Sequence, residues 1–302
     1  MNTSVAHFVG DVATFRQLDF DGYKLDSCGG QKDIALWSNL LNSTGRPAVV
    51  ENCHNAPYYP QLSYRPDKPP YCPFNFYRVS VDVEVLYGSI FGVNLPAMLP
   101  FLKMGTGTGT GDNAPLSYPG CWGYPDMLEV GVAPGLHKGE VALTIAEARA
   151  HFGAWCIVSS PLVLGLDVRD DAVMDAVWPI ISNTEAIAIN QAWAGAAGVR
   201  VAFSNASVQF PYCGGMFPTC SAPAWEVFSK PLAGGGSALL VLNHGDAPVD
   251  VAVDLAAVPL LACAAAACNV RDVWAHADAG TATGTFVAKA VGSHDSLFVT
   301  LT

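Results

Sequence analysis

Two charged side chains stand two residues apart at the end of a short apolar run, in the stretch DGYKLDSCGG at residues 21–30. Strict alternation places Lys24 and Asp26 on one face of a strand, and Tyr23 and Leu25 on the other. A carboxylate beside a cation, where a strand breaks into glycine, is suited to catalysis. An ion pair that ends the strand would give the same pattern, so this stretch alone leaves both interpretations open.

Polar side chains also end other apolar segments of the first two thirds of the chain. These strand-ending residues are Asp26, the polar residues within 51–54, and Asp82. A further predicted strand begins near Asp126. In a (β/α) barrel, side chains at the carboxyl ends of different strands converge on one site. Separate βα units that each deliver a carboxylate to one pocket fit glycoside hydrolysis, in which two carboxylates flank the scissile bond.

The apolar pattern divides the chain into two parts. From residue 1 to about 197, short strands alternate with helical patterns, which is typical of parallel βα units. Helical spacing of apolar residues predicts a helix in QKDIALWSNLLNSTG, and Thr144 with Glu147 three residues on predicts a capping box at the start of a helix in TIAEARAHFGAWCIV. The predicted strands of this part are DFDGYKLD, RPAVVENC, FYRVSVDV, DMLEVGV and PLVLGLD. From residue 198 to 302, short alternating strands with turn residues predict an antiparallel β-sandwich domain. The fold class predicted from the pattern is therefore α/β, followed by an all-β domain.

Composition excludes several classes of function. Only 14% of the 302 residues are charged, 51% are hydrophobic and the net charge is −11, so neither nucleic acid nor a membrane surface is an expected partner. No apolar stretch reaches the roughly 18 residues of a membrane helix. The glycine-rich segment 104–112 lacks the Gly-Lys-Ser/Thr ending of a phosphate-binding loop, so we read it as a loop insertion. We expect no cofactor and no metal.

Nine cysteines point to an oxidising compartment. Local spacing favours disulfides between Cys213 and Cys220 and between Cys263 and Cys268, and Cys53 and Cys72 bracket a Pro/Tyr-rich loop that a third bridge could close. Sequons begin at three asparagines, which are Asn2, Asn42 and Asn205. We therefore expect a secretory protein of the cell exterior, cell wall, vacuole or lysosome, although residues 1–15 lack the pattern of a signal peptide.

Four segments, in this order, resemble motifs of glycoside hydrolase family 27, the α-galactosidase and α-N-acetylgalactosaminidase family. DGYKLDSC is similar to the family's vDylKxDgC, and TGRPAVVENCHN is similar to its tGRpivySCeW. YRVSVDV is similar to WRxxxDI, and GCWGYPDMLEVG is similar to GgWNDPDMLxiG. The resemblance extends over nearly the whole chain, which is therefore identified as a member of this family.

The resemblance implies a retaining exo-glycosidase that acts on terminal α-D-galactosyl residues of a glycan or oligosaccharide. Asp26 matches the family's nucleophile, and Asp82 matches its acid/base residue. Lys24 and Arg78 match sugar-binding positions, with a structural ion pair as the alternative for Arg78. Asp126 either reaches the sugar or supports Arg78, and capping the start of a strand is its alternative role.

Departures from the family motifs bear on the choice of sugar. His54 stands where the common form has Glu or Ser, at the position that distinguishes galactose from N-acetylgalactosamine, and we include it among the substrate-binding residues. Tyr124 replaces an Asp, while Glu129 is interpreted as a structural carboxylate. These features resemble a plant and microbial subgroup that includes β-L-arabinopyranosidases, so hydrolysis of β-L-arabinopyranosides is an alternative function.

The family's barrel needs about 250 residues, whereas about 195 precede the β-domain here. The resemblance therefore implies an incomplete (β/α)8 TIM-type barrel, with about strands 4–8, and we expect this chain to be a fragment of a longer protein. A truncated, catalytically impaired sugar-binding or vestigial protein is a second alternative. A lectin-like role of the β-domain through Trp225 and Trp274 is a third, against which core packing of these side chains is the simpler explanation.

Overall fold

A computed structural model describes residues 5–26, 33–53, 72–103, 115–135 and 139–302. In the first part of the chain, helices alternate with short strands. Its elements are α1 (Val5–Gln17), β1 (Gly22–Leu25), α2 (Ile34–Ser43), β2 (Val49–Asn52), β3 (Phe76–Arg78), α3 (Tyr87–Ser89), a π-helical segment (Ile90–Asn94), α4 (Leu95–Met98), a 3₁₀ turn (Leu99–Phe101), β4 (Trp122–Tyr124), α5 (Ile145–Ile157), α6 (Asp171–Ile181) and α7 (Thr184–Gln191).

The four strands of this part form one parallel sheet in the order β1-β2-β3-β4. Lys24 on β1 lies opposite Glu51 on β2, and Arg78 on β3 lies opposite Tyr124 on β4. Parallel neighbours in sequence order, with α2 between β1 and β2 and with α3 and α4 between β3 and β4, are typical of the wall of a (β/α) barrel. The sequence prediction of an incomplete barrel is therefore confirmed in its architecture.

The fourth and fifth predicted strands differ most from those observed. The fourth strand is β4, four residues before the predicted DMLEVGV, since Pro125 has no N–H to extend the ladder and Asp126 then adopts a positive φ of 127°. The prediction that Asp126 begins a strand is therefore wrong. The predicted strand PLVLGLD contributes only an isolated parallel bridge, between Leu128 and Leu164.

The third predicted strand is shorter than expected. Strand β3 ends at Arg78, so Asp82 lies in the following loop and not on the strand, as the pattern FYRVSVDV had predicted. The backbone turns away from the ladder after Val79, whose N–H still reaches the carbonyl of Tyr124 at 2.9 Å. Arg78 then hydrogen-bonds the Ser80 carbonyl at 3.1 Å, which stabilises the turn.

Helices α2 and α5 form where the sequence predicts them. Helix α2 begins after Asp33, whose carboxylate accepts a hydrogen bond from the Leu36 N–H, and it buries Trp37 against the outer face of the sheet. Helix α5 begins with the predicted capping box, in which the Thr144 and Glu147 side chains each accept the other's backbone N–H. None of the helices in the described segments is long and apolar enough to cross a membrane.

Antiparallel strands make up the remainder of the chain. These are β5 (Val199–Phe203), β6 (Ser207–Phe210), β7 (Cys220–Pro223), β8 (Trp225–Pro231), β9 (Ser237–Asn243), β10 (Val249–Asp254), β11 (Ala267–Asp272), β12 (Ala277–Thr283), β13 (Thr285–Val291) and β14 (Ser296–Leu301). Eight of them form one sheet in the order β10-β13-β12-β11-β14-β9-β8-β5, and β6 pairs with β7. The β10–β13 end folds back over β8, β9 and β14, so that apolar side chains from both layers form a sandwich core.

Three disulfides connect the described residues. Two of them, Cys213–Cys220 and Cys263–Cys268, were predicted from local spacing. The third joins Cys72 to Cys121, so the predicted bridge between Cys53 and Cys72 is wrong. Residues 72 and 121 precede β3 and β4, two adjacent strands, and this places their sulfur atoms together. The Sγ of Cys53 instead accepts a hydrogen bond from Arg78.

A buried lysine ties the sandwich to the first part of the chain. Lys230 on β8 has no exposed surface, and its ammonium group donates to the Ser159 hydroxyl at 2.6 Å and to the carbonyls of Ile189 and Asn190. The two carbonyls belong to the last turn of α7, which has no further helical N–H to satisfy them. One side chain from the sandwich thus caps a helix of the barrel part.

Replacing Lys230 with methionine is expected to destabilise the protein. The variant keeps the volume of the side chain but leaves three buried acceptors without a donor, at a cost of roughly 2 to 4 kcal/mol. Urea unfolding at pH 7 measures the change, and Lys289→Met, at an exposed position of β13, is the control. Equal stability of the two variants would show that the capping contacts contribute nothing.

Candidate active site

The carboxyl ends of β1 to β4 bring together the charged residues that the sequence analysis selected. Alternation along the strands points Lys24, Glu51, Arg78 and Tyr124 to the concave face of the sheet, away from the helices. Asp26 directly follows β1 and is exposed. The arrangement combines cations and carboxylates at the carboxyl ends of the strands, which is where (β/α)-barrel enzymes have their active sites.

Arg78 is the centre of this cluster. Its side chain is 1% exposed, and its guanidinium lies 2.8 Å from Asp82 Oδ1 and 3.1 Å from Asp126 Oδ2. Asp126 is buried as well, whereas the Asp82 side chain is 85% exposed. Burial alone would lower the pKa of Arg78, but Asp126 and Asp82 raise it above its ordinary value. The guanidinium therefore stays charged and holds an exposed carboxylate beside a buried one.

Asp126 also fixes the loop that carries Asp82. Its Oδ2 accepts a hydrogen bond from the Val83 N–H at 2.9 Å, and its Oδ1 accepts one from the Met127 N–H at 2.8 Å. Its own carbonyl accepts a 2.6 Å hydrogen bond from the indole of Trp155 in α5. These contacts hold Asp126 in a left-handed backbone conformation that is strained for any residue other than glycine.

A buried amide joins the same two loops. Asn94, in the π-helical segment, donates from its Nδ2 to the carbonyls of Val81 and Pro125, both at 2.9 Å. π-helical turns often occur at functional sites, where the extra residue redirects a side chain. Here the redirected amide fixes the backbone immediately before Asp82 and immediately before Asp126.

Glu51 is a further carboxylate of the cluster. Its Oε1 lies 3.8 Å from Lys24 Nζ, which is an ion-pair contact longer than a hydrogen bond. Burial raises the pKa of Glu51 to about 7; Asp126 adds to the rise, and Lys24 opposes it. Burial would lower the pKa of Lys24, but Glu51, Cys53 and Asp126 raise it above its ordinary value. Lys24 is thus a cation at acidic and neutral pH.

A cavity lies next to this cluster but not at its centre. It has a volume of about 760 Å³, and it reaches Lys24 and Glu51. Its other walls include Gly22 and Val49, the first residues of their strands, and it does not touch Arg78. The cavity therefore occupies the amino-terminal half of the concave face, and the charged cluster lies above it at the carboxyl ends.

Most, but not all, of the selected residues are brought together. Lys24, Asp26, Arg78, Asp82 and Asp126 surround the carboxyl ends of the strands, whereas the predicted sugar-binding residue His54 lies outside the described residues. The prediction had not selected Glu51 or Tyr124 as members of the site. The sequence signal that could have found Glu51 is the period-two alternation, which places it on the same face as Cys53, two residues further on.

Comparison with known proteins identifies the family of this arrangement. The family model "Alpha galactosidase A" matches residues 2–192, and the model "Alpha galactosidase C-terminal beta sandwich domain" matches residues 222–301. The chain belongs to the α-galactosidase A family. The family assignment made from the sequence motifs is confirmed.

Among curated proteins, the chain is 26% identical to the α-galactosidase of Cyamopsis tetragonoloba. This match covers the whole chain and 62% of that protein. It is 27% identical to α-galactosidase 3 of Arabidopsis thaliana, over 99% of the chain and 59% of that protein. The chain thus spans about 60% of the length of these relatives.

Solved structures of the α-galactosidase A family share the fold. α-Galactosidase I from Mortierella vinacea superposes with a TM-score of 0.68 at 21% identity, covering 99% of this chain and 72% of the other. A family 27 β-L-arabinopyranosidase from Geobacillus stearothermophilus superposes with a TM-score of 0.73 at 18% identity, covering 100% and 62%. At these identities the likeness concerns the fold, which is part of a TIM-type barrel with a β-sandwich.

Another buried carboxyl group, that of Glu129, allows a test of the electrostatics beside the site. Burial, followed by Asp126 and Glu140, raises the pKa of Glu129 to about 8. Between pH 4.5 and 8 the folded state holds a proton that the unfolded state has lost, so stability falls as the pH rises through this window. Glu129→Gln removes this loss.

We compare the free energy of unfolding of Glu129→Gln with that of the parent protein. Between pH 5 and pH 8.5 this difference should shift in favour of the variant by on the order of 3 kcal/mol. Urea unfolding of both proteins at the two pH values measures the difference. The control is Asp250→Asn on β10, whose position is exposed. An unchanged difference between pH 5 and 8.5 would contradict the raised pKa of Glu129.

Proposed function

We propose that the barrel part carries the active site of a retaining exo-glycosidase that removes terminal α-D-galactosyl residues from glycans or oligosaccharides. The observation that supports it is the placement of Asp26 and Asp82 around one cluster at the carboxyl ends of β1 and β3. One strand separates β1 from β3, so the two backbones lie about 10 Å apart. Side chains that lean inwards from both can approach the 5 to 5.5 Å between carboxyl groups that a retaining mechanism needs.

In this proposal Asp26 is the nucleophile. Its carboxylate attacks the anomeric carbon while the bond to the leaving oxygen breaks, and a glycosyl-enzyme forms with inverted configuration. Lys24, on the same strand face and with a raised pKa, places a positive charge beside the nucleophile and donates hydrogen bonds to sugar hydroxyls. Water then releases the sugar by a second inversion, so the product keeps the configuration of the substrate.

Asp82 is the proposed acid/base residue. It protonates the leaving oxygen in the first step and takes a proton from the attacking water in the second. Its exposure leaves room for the leaving group, and the guanidinium of Arg78 at 2.8 Å stabilises the carboxylate that forms when the proton is given up. Asp126 supports Arg78 and the Asp82 loop in this scheme, and Arg78 and His54 complete the proposed sugar-binding residues.

The comparison structures support one alternative sugar. The fold match includes a β-L-arabinopyranosidase, and L-arabinopyranose is galactose without its hydroxymethyl group. A pocket distinguishes two such sugars by only a few kcal/mol. β-L-Arabinopyranoside hydrolysis is therefore the second candidate, and an impaired protein that binds sugar without turnover is the third.

The proposed setting is the secretory pathway, with a galactoside-type glycan as the partner. Three disulfides support an oxidising compartment. Two of the predicted sequon asparagines, Asn42 and Asn205, are exposed in the structure and therefore open to glycosylation, while Asn2 lies outside the described residues.

Substitution of the two carboxylates tests the proposal. On an aryl α-galactoside, Asp26→Asn is expected to lose at least about 1,000-fold in kcat, and Asp82→Asn about 100- to 10,000-fold, with the smaller loss for the better leaving group. Asp167→Asn, at an exposed surface ion pair, is the matched control. Proton NMR should show the α-anomer of galactose as the first product.

Parallel assays with an aryl β-L-arabinopyranoside decide between the candidate sugars by the ratio of the two kcat/KM values. If the parent protein turns over neither substrate but binds galactose, the impaired sugar-binding protein is the correct reading. β-Galactose as the first product from the aryl α-galactoside would overturn the double displacement.

A further inference from the structure

Glu51 has no role in the mechanism above, although it lies among the residues that perform it. Its side chain is only 11% exposed, and Oε1 has no hydrogen-bond partner in the described part of the chain. A buried carboxyl oxygen without a hydrogen bond is costly, and such groups are kept where they serve a purpose.

The register of the sheet couples Glu51 to Lys24. The two residues are direct partners on adjacent parallel strands and point to the same face, with 3.8 Å between Nζ and Oε1. Asp26 directly follows β1, two residues beyond Lys24, where the alternation of the strand places it on the same face, and its charge raises the pKa of Glu51. Along this face Lys24 therefore stands between two carboxyl groups.

Among the ionisable groups that face Glu51, the two cations and the two weakly acidic groups keep their charge state through the neutral pH range. Lys24 and Arg78 have raised pKa values and stay cationic. Burial raises the pKa of Cys53 to about 11 and raises the pKa of Tyr124 well above its ordinary value, so both side chains stay neutral. Asp26 and Asp126 contribute negative charge from β1 and from the loop after β4. Glu51 itself, whose pKa is about 7, changes its charge in this range.

A count of charges shows what this change does. The first catalytic step needs Asp82 in its protonated form. Lys24 and Arg78 are then balanced by Asp26 and Asp126, and a neutral Glu51 leaves the cluster without net charge. An ionised Glu51 adds one negative charge in a poorly solvated place, and the nearest cation available to it is Lys24.

Resting on the proposed glycosidase function, we propose that Glu51 is a positioning residue that sets the upper pH limit of the site through Lys24. As a neutral carboxyl it leaves the ammonium to Asp26 and to the sugar hydroxyls. As a carboxylate it draws the ammonium down the strand to itself, so that sugar binding weakens and the nucleophile loses its cation. Acidic conditions keep the site in its working form.

The test compares pH profiles of kcat/KM between pH 5 and 9 on an aryl α-galactoside. In the parent protein we expect the alkaline limb near pH 7. In Glu51→Gln, which is isosteric and neutral at every pH, the limb should move up by about one pH unit or more, with kcat/KM at pH 5.5 within about threefold of the parent value. Glu51→Asp keeps an ionisable group and should keep a limb, while Glu51→Met is a second neutral variant in case the amide does not fold.

Glu129→Gln is the matched control, because it removes another buried carboxyl with a raised pKa that is not the register partner of Lys24. Its profile should superimpose on that of the parent. Calorimetric binding of galactose at pH 5.5 and 8.5 is the second readout, with an affinity at pH 8.5 that falls in the parent and not in Glu51→Gln.

The outcomes separate the two proposals. If the parent protein is active and the profiles of parent and Glu51→Gln coincide within about 0.3 pH unit, the role of Glu51 is refuted and the glycosidase function stands. If the parent neither hydrolyses glycosides nor binds galactose between pH 5 and 9, both proposals are refuted. If it binds without turnover, the pH dependence of binding alone decides the role of Glu51.

Discussion

The burial of one guanidinium group organises the carboxyl end of the barrel. A buried arginine without partners would cost several kcal/mol, so Arg78 requires carboxylates and carbonyls in fixed places. Asp126 and Asp82 provide the charges, and the Ser80 carbonyl accepts a further hydrogen bond. Asp126 tolerates a strained backbone because Trp155 and two backbone N–H groups hold it there. Removing any one partner leaves the others uncompensated, so these residues act as one unit.

This unit is connected to the sandwich through the segment that follows Asp82. The Tyr87 hydroxyl in α3 lies 2.8 Å from His244 Nδ1. The other ring nitrogen, His244 Nε2, lies 3.1 Å from Glu226 Oε1, and Glu226 also accepts a 2.7 Å hydrogen bond from Arg200. Gly88 packs so closely against the β6–β7 hairpin that a Cβ there would lie 2.8 Å from a backbone oxygen. The β-domain therefore restrains the loop with the proposed acid/base residue from behind.

The sequence could predict what depends on neighbouring residues in the chain. Alternation placed Lys24 and Asp26 on one face, and the Thr144 capping box marked the start of α5, because both patterns are local. The bounds of β3 and β4 could not be read in this way, because the ladder ends where Pro125 and the Ser80 turn remove partners across strands. The Cys72–Cys121 bridge likewise depends on strand adjacency, which spacing along the chain does not encode.

The electrostatic character of the site was still less accessible from sequence. A glutamate in VVEN reads as an ordinary exposed carboxylate of a strand end, and only the three-dimensional structure shows it buried opposite Lys24. Its pKa follows from burial together with the charges of Asp126, Lys24 and Arg78, which come from three different βα units. Because Arg78 and Asp126 are each held by contacts of their own, their charges occupy fixed places at the carboxyl ends of the strands. Charges preorganised in this way favour catalysis in general, because they stabilise developing charge without a reorganisation of the surrounding dipoles.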